Sequence, residues 1–228
     1  MRRFGKQNNH YYLMKNQFRL TNVQDFAMIV HGDFDIISDQ IIKNKNFYEF
    51  EIFEKWKSYF PFDGLMLDIG ANIGNHSLMF HKYFPNLNIW SFEIHHVNFA
   101  FLKKNTELYP KINCFNVGVG SCNGIVRYGN GPEFNKGGVS ISPDGQNMNF
   151  VLSLDSFLFP EPVKFIKIDI EQHELSAFEG MVNMLKKDKP LIWLEDFNGQ
   201  SRNYLFNLGY EILGSEEATH NFLLKNKF

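Results

Sequence analysis

Apolar residues fall along this chain in short runs punctuated by glycine, asparagine and proline, and the period of those runs changes repeatedly. Residues 46–60, NFYEFEIFEKWKSYF, carry Phe50, Phe53, Trp56 and Phe60 at three- and four-residue steps, which predicts a helix stopped by Pro61. From there strands and helices alternate. GLMLDIG (64–70) is a continuous apolar run ending in glycine, the pattern of a buried strand. NHSLMFHKYFP (75–85) reads as a helix, NIWSFE (88–93) as a second strand, HHVNFAFLKKNTELYP (95–110) as a second helix and INCFNVGVG (112–120) as a third strand. VKFIKIDIE (163–171) predicts a fourth strand. LSAFEGMVNMLKK (175–187) predicts one amphipathic helix, with Leu175, Phe178, Val182 and Leu185 on a face and Lys186 and Lys187 at its C-terminal end. LIWLED (191–196) is a fifth strand, SRNYLFNLG (201–209) a helix, and YEILG with NFLLKNKF a closing hairpin.

This alternation predicts an α/β fold: a mostly parallel central sheet, helices on both faces, and a C-terminal antiparallel hairpin. Residues 1–60 read as a helical extension packed on a core of 61–228, together one compact domain. Ligands of such sheets bind beyond the carboxyl ends of the strands. The glycine- and asparagine-rich stretch 121–150 is expected to be a loop or hairpin over that site, since RYGNGPEFNKGG cannot be a helix.

Composition narrows the partners. With 23 Lys+Arg against 25 Asp+Glu there is no basic field for nucleic acid. FAMIV, the longest early apolar run, is too short for a bilayer, and the opening MRRFGKQNNHYY lacks a signal-like apolar stretch. Cys114 and Cys122 form neither a disulfide framework nor a zinc pattern. A cytoplasmic protein with neither membrane nor nucleic-acid partner is expected.

The chemistry starts at LDIGANIG (67–74), a strand–glycine–helix turn whose amides suit an anionic group. A dinucleotide turn reads G-x-G-x-x-G, so that backbone can press on a pyrophosphate. Here Gly70-Ala71-Asn72-Ile73-Gly74 places a side chain at that point, ahead of Asn75. Asp68 would repel a diphosphate and attract an ammonium group. S-adenosylmethionine carries an ammonium, a carboxylate and a sulfonium, and no phosphate. Glu93, ending the second strand, is placed to accept from a ribose diol. It serves either cofactor; Asp68 and Glu93 together favour the sulfonium one.

LDIGANIG, SFE, NVGVG, GGVSI, VLSLDSFL, FIKIDIE and PLIWLED resemble, in order, the motifs of FkbM-type methyltransferases. The resemblance implies a Rossmann-like methyltransferase fold of class I and O-methylation of a sugar, glycan or related small-molecule hydroxyl. It places Asp68, Gly70, Ala71, Asn72, Gly74, Asn75, Glu93, Ile94, Gly118, Val119 and Asp169 around S-adenosylmethionine. Two positions depart from the family pattern: Ile94 stands where a proline is usual, and Gln172 where a glycine is usual.

A hydroxyl acceptor must lose a proton, so a base is needed. Asp169 and Glu171, two apart at a strand end, point the same way if strand geometry persists. His173 follows, with a pKa suited to neutral pH. Asp169 is expected beside the cofactor, and Glu171 or His173 beside the acceptor. Glu195 and Asp196 end the neighbouring strand, which raises a divalent metal; with no metal-specific spacing, a site without metal is the expectation. His76 and His81 are not spaced for one helix face, and His95 and His96 are expected in solvent. Gly118-Val119-Gly120 should flank the adenine, its amine held by backbone or Ser121. Two rivals stand: an NAD(P)-dependent oxidoreductase on a related fold, and a non-catalytic cofactor-binding module.

Overall fold

The computed structural model describes residues 18–32 and 34–228; the opening dodecapeptide lies outside them. The chain begins with an antiparallel hairpin, β1 (Phe18–Val23) and β2 (Phe26–His31), that turns through Gln24 at φ 51°. The N-terminal extension is therefore not all helix. Val23, Phe26, Met28 and Val30 bury one side of this ribbon. Asn105 clamps it, accepting from Ile29 N at 2.7 Å and donating to Ile29 O at 2.8 Å.

Helices α1 (Ile36–Asn44) and α2 (Phe50–Trp56) follow. The helix expected over 46–60 is shorter, because Glu49 takes a left-handed φ of 59° at its start and the chain tightens to a 3-10 turn over Lys57–Tyr59. Then come β3 (Asp63–Ile69), α3 (Asn75–Tyr83), β4 (Asn86–Phe92), α4 (His96–Thr106) and β5 (Ile112–Phe115). The third predicted strand breaks after Phe115; Gly118–Val119 (β6) pairs instead with β8 (Asn147–Leu152), which also pairs with β7 (Gly124–Tyr128). Strand β9 (Val163–Ile168) returns the chain to the main sheet, followed by α5 (Glu174–Glu179), α6 (Val182–Asp188), β10 (Leu191–Glu195), α7 (Gln200–Asn207), β11 (Tyr210–Glu216) and β12 (Asn221–Asn226).

The single helix expected over 175–187 is two. Gly180 packs so tightly that a Cβ there would sit 1.9 Å from Gly120 O. Asp155 then caps the second helix, accepting from Asn183 N and Met184 N, each at 2.9 Å.

The main sheet runs β11-β12-β10-β9-β3-β4-β5, parallel from β10 to β5 and antiparallel at the C-terminal hairpin. One face is an aromatic layer under α2 and α3. There Phe60 lies 4.9 Å from Phe165 and 4.9 Å from Phe80, centroid to centroid. The other face packs Leu67, Ile166, Ile168 and Leu194 against Phe178, Leu185 and Leu205 of α5, α6 and α7. Burial of each such side chain stabilises by roughly 1.5–3 kcal/mol. Among the described residues no helix is long and apolar enough to cross a membrane. Because the chain leaves β3 toward β4 and later returns to β9 on its other side, the carboxyl ends of β3 and β9 diverge into a crevice.

Candidate active site

That crevice is one cavity, walled by the ends of β3, β4, β9 and β10 and roofed by the 129–146 segment. Its floor begins at the turn after β3. Gly70 has φ 83°, and a Cβ there would lie 1.8 Å from Asp169 O, so only glycine lets β3 and β9 approach. Asn72, at φ 50°, occupies a left-handed position that asparagine tolerates better than most residues.

Four of the turn's amides, expected to suit an anionic group, are engaged within the protein. Gly70 N and Ala71 N both donate to Phe92 O at 2.9 Å, and Gly74 N donates to Ala71 O at 2.8 Å. Asn72 N donates to Glu93 Oε2 at 2.8 Å. The turn wraps the end of β4, which brings these acceptors within reach. Ile69, Gly70 and Asn72 face the cavity, and Asn72 Oδ1 is buried there without a partner.

Ala71, Gly74 and Asn75 do not reach the wall. Gly74 packs on Leu102, and Asn75 grips the Tyr48 backbone, accepting from its N–H at 2.8 Å and donating to its carbonyl at 3.1 Å. Nor does Asp68. Fully buried beneath the turn, it accepts from Ser77 Oγ at 2.5 Å and sits in register with Lys167 on β9. Strand alternation turns residue 68 to the α3 side of the sheet, a direction that the linear pattern alone does not reveal.

Glu93 does reach the wall. Its second oxygen, Oε1, accepts from His95 N at 2.7 Å. Burial pushes its carboxyl up to about 7, against the two backbone N–H bonds and helped by Asp68 and Asp169. Ile94, standing where a proline is usual, is stiffened otherwise: Asn149 Nδ2 donates to its carbonyl at 2.8 Å, and Asn116 Nδ2 to Glu93 O at 2.7 Å. His95 is buried and accepts from Asn98 N, contrary to the solvent position expected; His96 is exposed. Val117, Gly118 and Val119 form the apolar end of the cavity. Ser121 lies outside it, its N–H bonded to Ser176 Oγ at 3.2 Å.

Opposite stand the acids. Strand β9 ends at Ile168, and Glu171 and Gln172 adopt left-handed φ of 53° and 70°. Strand alternation therefore does not align Asp169 with Glu171; this tight turn brings Asp169, Glu171 and His173 onto one wall. Glu174, absent from the sequence-based site, fixes the turn by accepting from Ile170 N at 3.0 Å and Gln172 N at 3.2 Å. Gln172 itself is absent from the wall.

Burial raises Asp169, but the Lys167 ammonium, 3.1 Å from its Oδ2, and a hydrogen bond from Glu195 outweigh it and hold the carboxyl below its usual range. Glu195 shows the reverse: burial and the neighbouring Asp169 charge drive it far above. Glu171 is raised by burial and by Asp169, and His173 is lowered by burial. Asp196 faces away, accepting from Gly199 N, Arg202 N and Arg202 Nε at the start of α7. The four carboxyls on the cavity wall are Glu93, Asp169, Glu171 and Glu195. Among the described residues no three His, Cys, Asp or Glu side chains converge as a metal-binding group.

Tyr48 also lines the cavity, and Glu49 beside it stands 3.1 Å from His76 Nε2; neither signals itself in the sequence, because both lie in the turn ahead of α2. The roof comes from Asn135, Gly137, Val139 and Ile141. A Cβ on Gly137 would meet Asn72 Nδ2 at 2.6 Å, so the roof rests directly on the turn. It is tied to α1, since Lys136 N donates to Asp35 Oδ1 and Ile36 N to Phe134 O.

Comparison with known proteins matches residues 68–212 to the sequence model described as Methyltransferase FkbM domain. The Hexuronic acid methyltransferase AglP of Haloferax volcanii is 27% identical over 129 residues, 54% of this chain and 52% of that protein. The chain thus spans about half the length of that relative. The crystal structure of Methyltransferase FkbM from Methylobacillus flagellatus KT superposes with a TM-score of 0.53 at 20% identity, covering 72% of this chain and 44% of that one.

Proposed function

Because the chain belongs to the FkbM methyltransferase family, matched over residues 68–212, we propose that it moves a methyl group from S-adenosylmethionine to a hydroxyl of a sugar, glycan or related small metabolite. One observation carries the donor. The cavity presents Glu93, Asp169, Glu171 and Glu195, and among the described residues no Lys or Arg lines it. A diphosphate has nothing there to neutralise it, whereas a positively charged, phosphate-free ligand is complementary. The rival NAD(P) reading lacks a phosphate partner. The acceptor class is supported by the family and by the similarity to the Haloferax volcanii Hexuronic acid methyltransferase AglP.

Glu93 is the residue for the ribose hydroxyls: each of its oxygens accepts a backbone N–H, keeps further acceptor capacity and is held still. Asn72 Oδ1 supplies a buried acceptor in want of a donor. Ile94, Gly118 and Val119 offer an apolar slot for the base. Asp68 is a positioning residue, acting through Ser77 beneath the turn. When bound, the donor supplies an activated methyl group on a sulfonium, which leaves as a neutral thioether.

Asp169, locked by Lys167, stays ionised and orients whatever cation lies beside it. Glu171 takes the proton of the acceptor hydroxyl. Its carboxylate is more basic than usual because of burial and Asp169. His173, held neutral by burial, is the second base in reach. The roof excludes water from the group being transferred.

The test is transfer of labelled methyl from S-adenosylmethionine to a panel of uronic-acid and neutral glycans and nucleotide sugars. Label on a sugar oxygen supports the reading. Label on none, with protein that binds the donor, overturns the acceptor class.

A further inference from the structure

Beneath the cavity wall lies a buried charge cluster whose arithmetic does not balance. Lys167 is 2% exposed, and Asp68, Glu49, Asp169 and Glu195 all bear on it. His76 of α3 sits against Glu49, and the Tyr48 hydroxyl is raised by burial and by Glu49, Glu195 and Asp169. Glu171 on the same wall and Glu93 opposite both feel the Asp169 charge. Four carboxyls against one ammonium leave an excess of negative charge that a dry setting does not tolerate without a proton.

The geometry says where that proton resides. Leu194 and Ile168 are register partners on adjacent parallel strands, so the next residues, Glu195 and Asp169, emerge side by side at the strand ends. Two carboxyls set side by side in one buried wall, with a single ammonium against one of them, cannot both stay ionised, so one of them keeps a proton. Asp169 has Lys167, so Glu195 carries the proton. Both groups line the cavity.

We infer that the Asp169–Glu195 pair is a charge-matching device of the donor site: it keeps its shared proton against a neutral thioether and gives it up to solvent when a sulfonium cation binds. This rests on the S-adenosylmethionine reading above. A cation within about 4–6 Å lowers a carboxyl pKa by about 1–3 units, enough to empty a raised carboxyl near or somewhat above neutral pH. Donor binding then releases a proton, and binding of the demethylated product releases less. The site holds the donor in preference to the product, and increasingly so as pH rises.

The test compares S-adenosylmethionine with S-adenosylhomocysteine by titration calorimetry on the full chain, at about pH 8, in phosphate and in Tris, whose ionisation heats differ. The two ligands share carboxylate, ribose and base, so protons exchanged at Glu93 or His173 cancel in the difference; the sulfonium lowers the donor's own amine pKa, so each free ligand's ionisation is titrated separately and subtracted. The wild type should release more proton with the donor than with the product, and Glu195→Gln should abolish that difference, whatever its affinity for either ligand. The wild type alone gives a second reading: the ratio of donor to product affinity should rise by up to about tenfold per pH unit between about pH 7 and 9. Equal proton release for both ligands with a flat affinity ratio overturns the inference and leaves the donor assignment standing. Failure of both ligands to bind overturns the donor assignment, and the inference with it.

Discussion

The carbonyl oxygen of Asp169 lies directly against the Cα of Gly70, so near that a Cβ on residue 70 would stand 1.8 Å away. The floor of the cavity and its acidic wall are thus a single packed unit across β3 and β9. Gly70→Ala must both force φ 83° on a residue with a side chain and push the strand ends apart. Together these should destabilise the fold by about 2–4 kcal/mol. A fall in calorimetric Tm with loss of donor binding is expected; a variant melting and binding like wild type would show that the strand ends are not coupled.

Glu93 joins the turn to the second strand and faces the cavity. Hydrogen bonds to a charged group are worth about 1.5–3 kcal/mol, so Glu93→Gln should weaken donor affinity by roughly 10- to 150-fold. Glu93→Ala should cost more, because Asn72 N and His95 N then lose their acceptor too. Calorimetric dissociation constants for both variants check this.

Glu171→Gln should lower kcat by about 10²–10⁴-fold, the usual contribution of a general base, with donor affinity little changed. His173→Gln should have the smaller effect. The reverse ranking would move the proton-accepting role to the imidazole.

Glu174 holds the 169–173 turn from a buried position, and burial pushes its carboxyl up to about 7 from a reference of 4.5. Glu93 is raised to the same level. Between about pH 4.5 and 7 the folded protein therefore keeps protons that the unfolded chain has lost. Stability must fall as pH rises through that window. Tm measured across it should decline, and Glu174→Gln, which keeps an acceptor oxygen for Ile170 N, should flatten the slope. An unchanged slope would remove Glu174 as a source of the effect.

The main sheet was legible because β3, β4, β9 and β10 are short apolar-rich runs bounded by glycine or by a polar cluster. The site was legible where backbone pattern sets position, as with Gly70, Glu93 and Asp169. It failed where direction matters. Asp68 belongs to the right turn but points to the α3 side, where Ser77 takes it. Asp196 is consumed by Arg202 one residue beyond Glu195, which does face the cavity. Tyr48 reaches the cavity, and Glu49 the charge cluster beneath it, from a turn with no local signal. The β1–β2 ribbon did carry one: FRLTNV and FAMIVH bury side chains alternately, but that period is masked by the aromatic, mixed composition of the segment.

The most direct test of a cavity built for a cationic, phosphate-free donor is titration of the purified protein with S-adenosylmethionine and, separately, with NAD. Saturable binding of the first and no heat from the second is the predicted result. Binding of NAD with no response to S-adenosylmethionine would contradict the account.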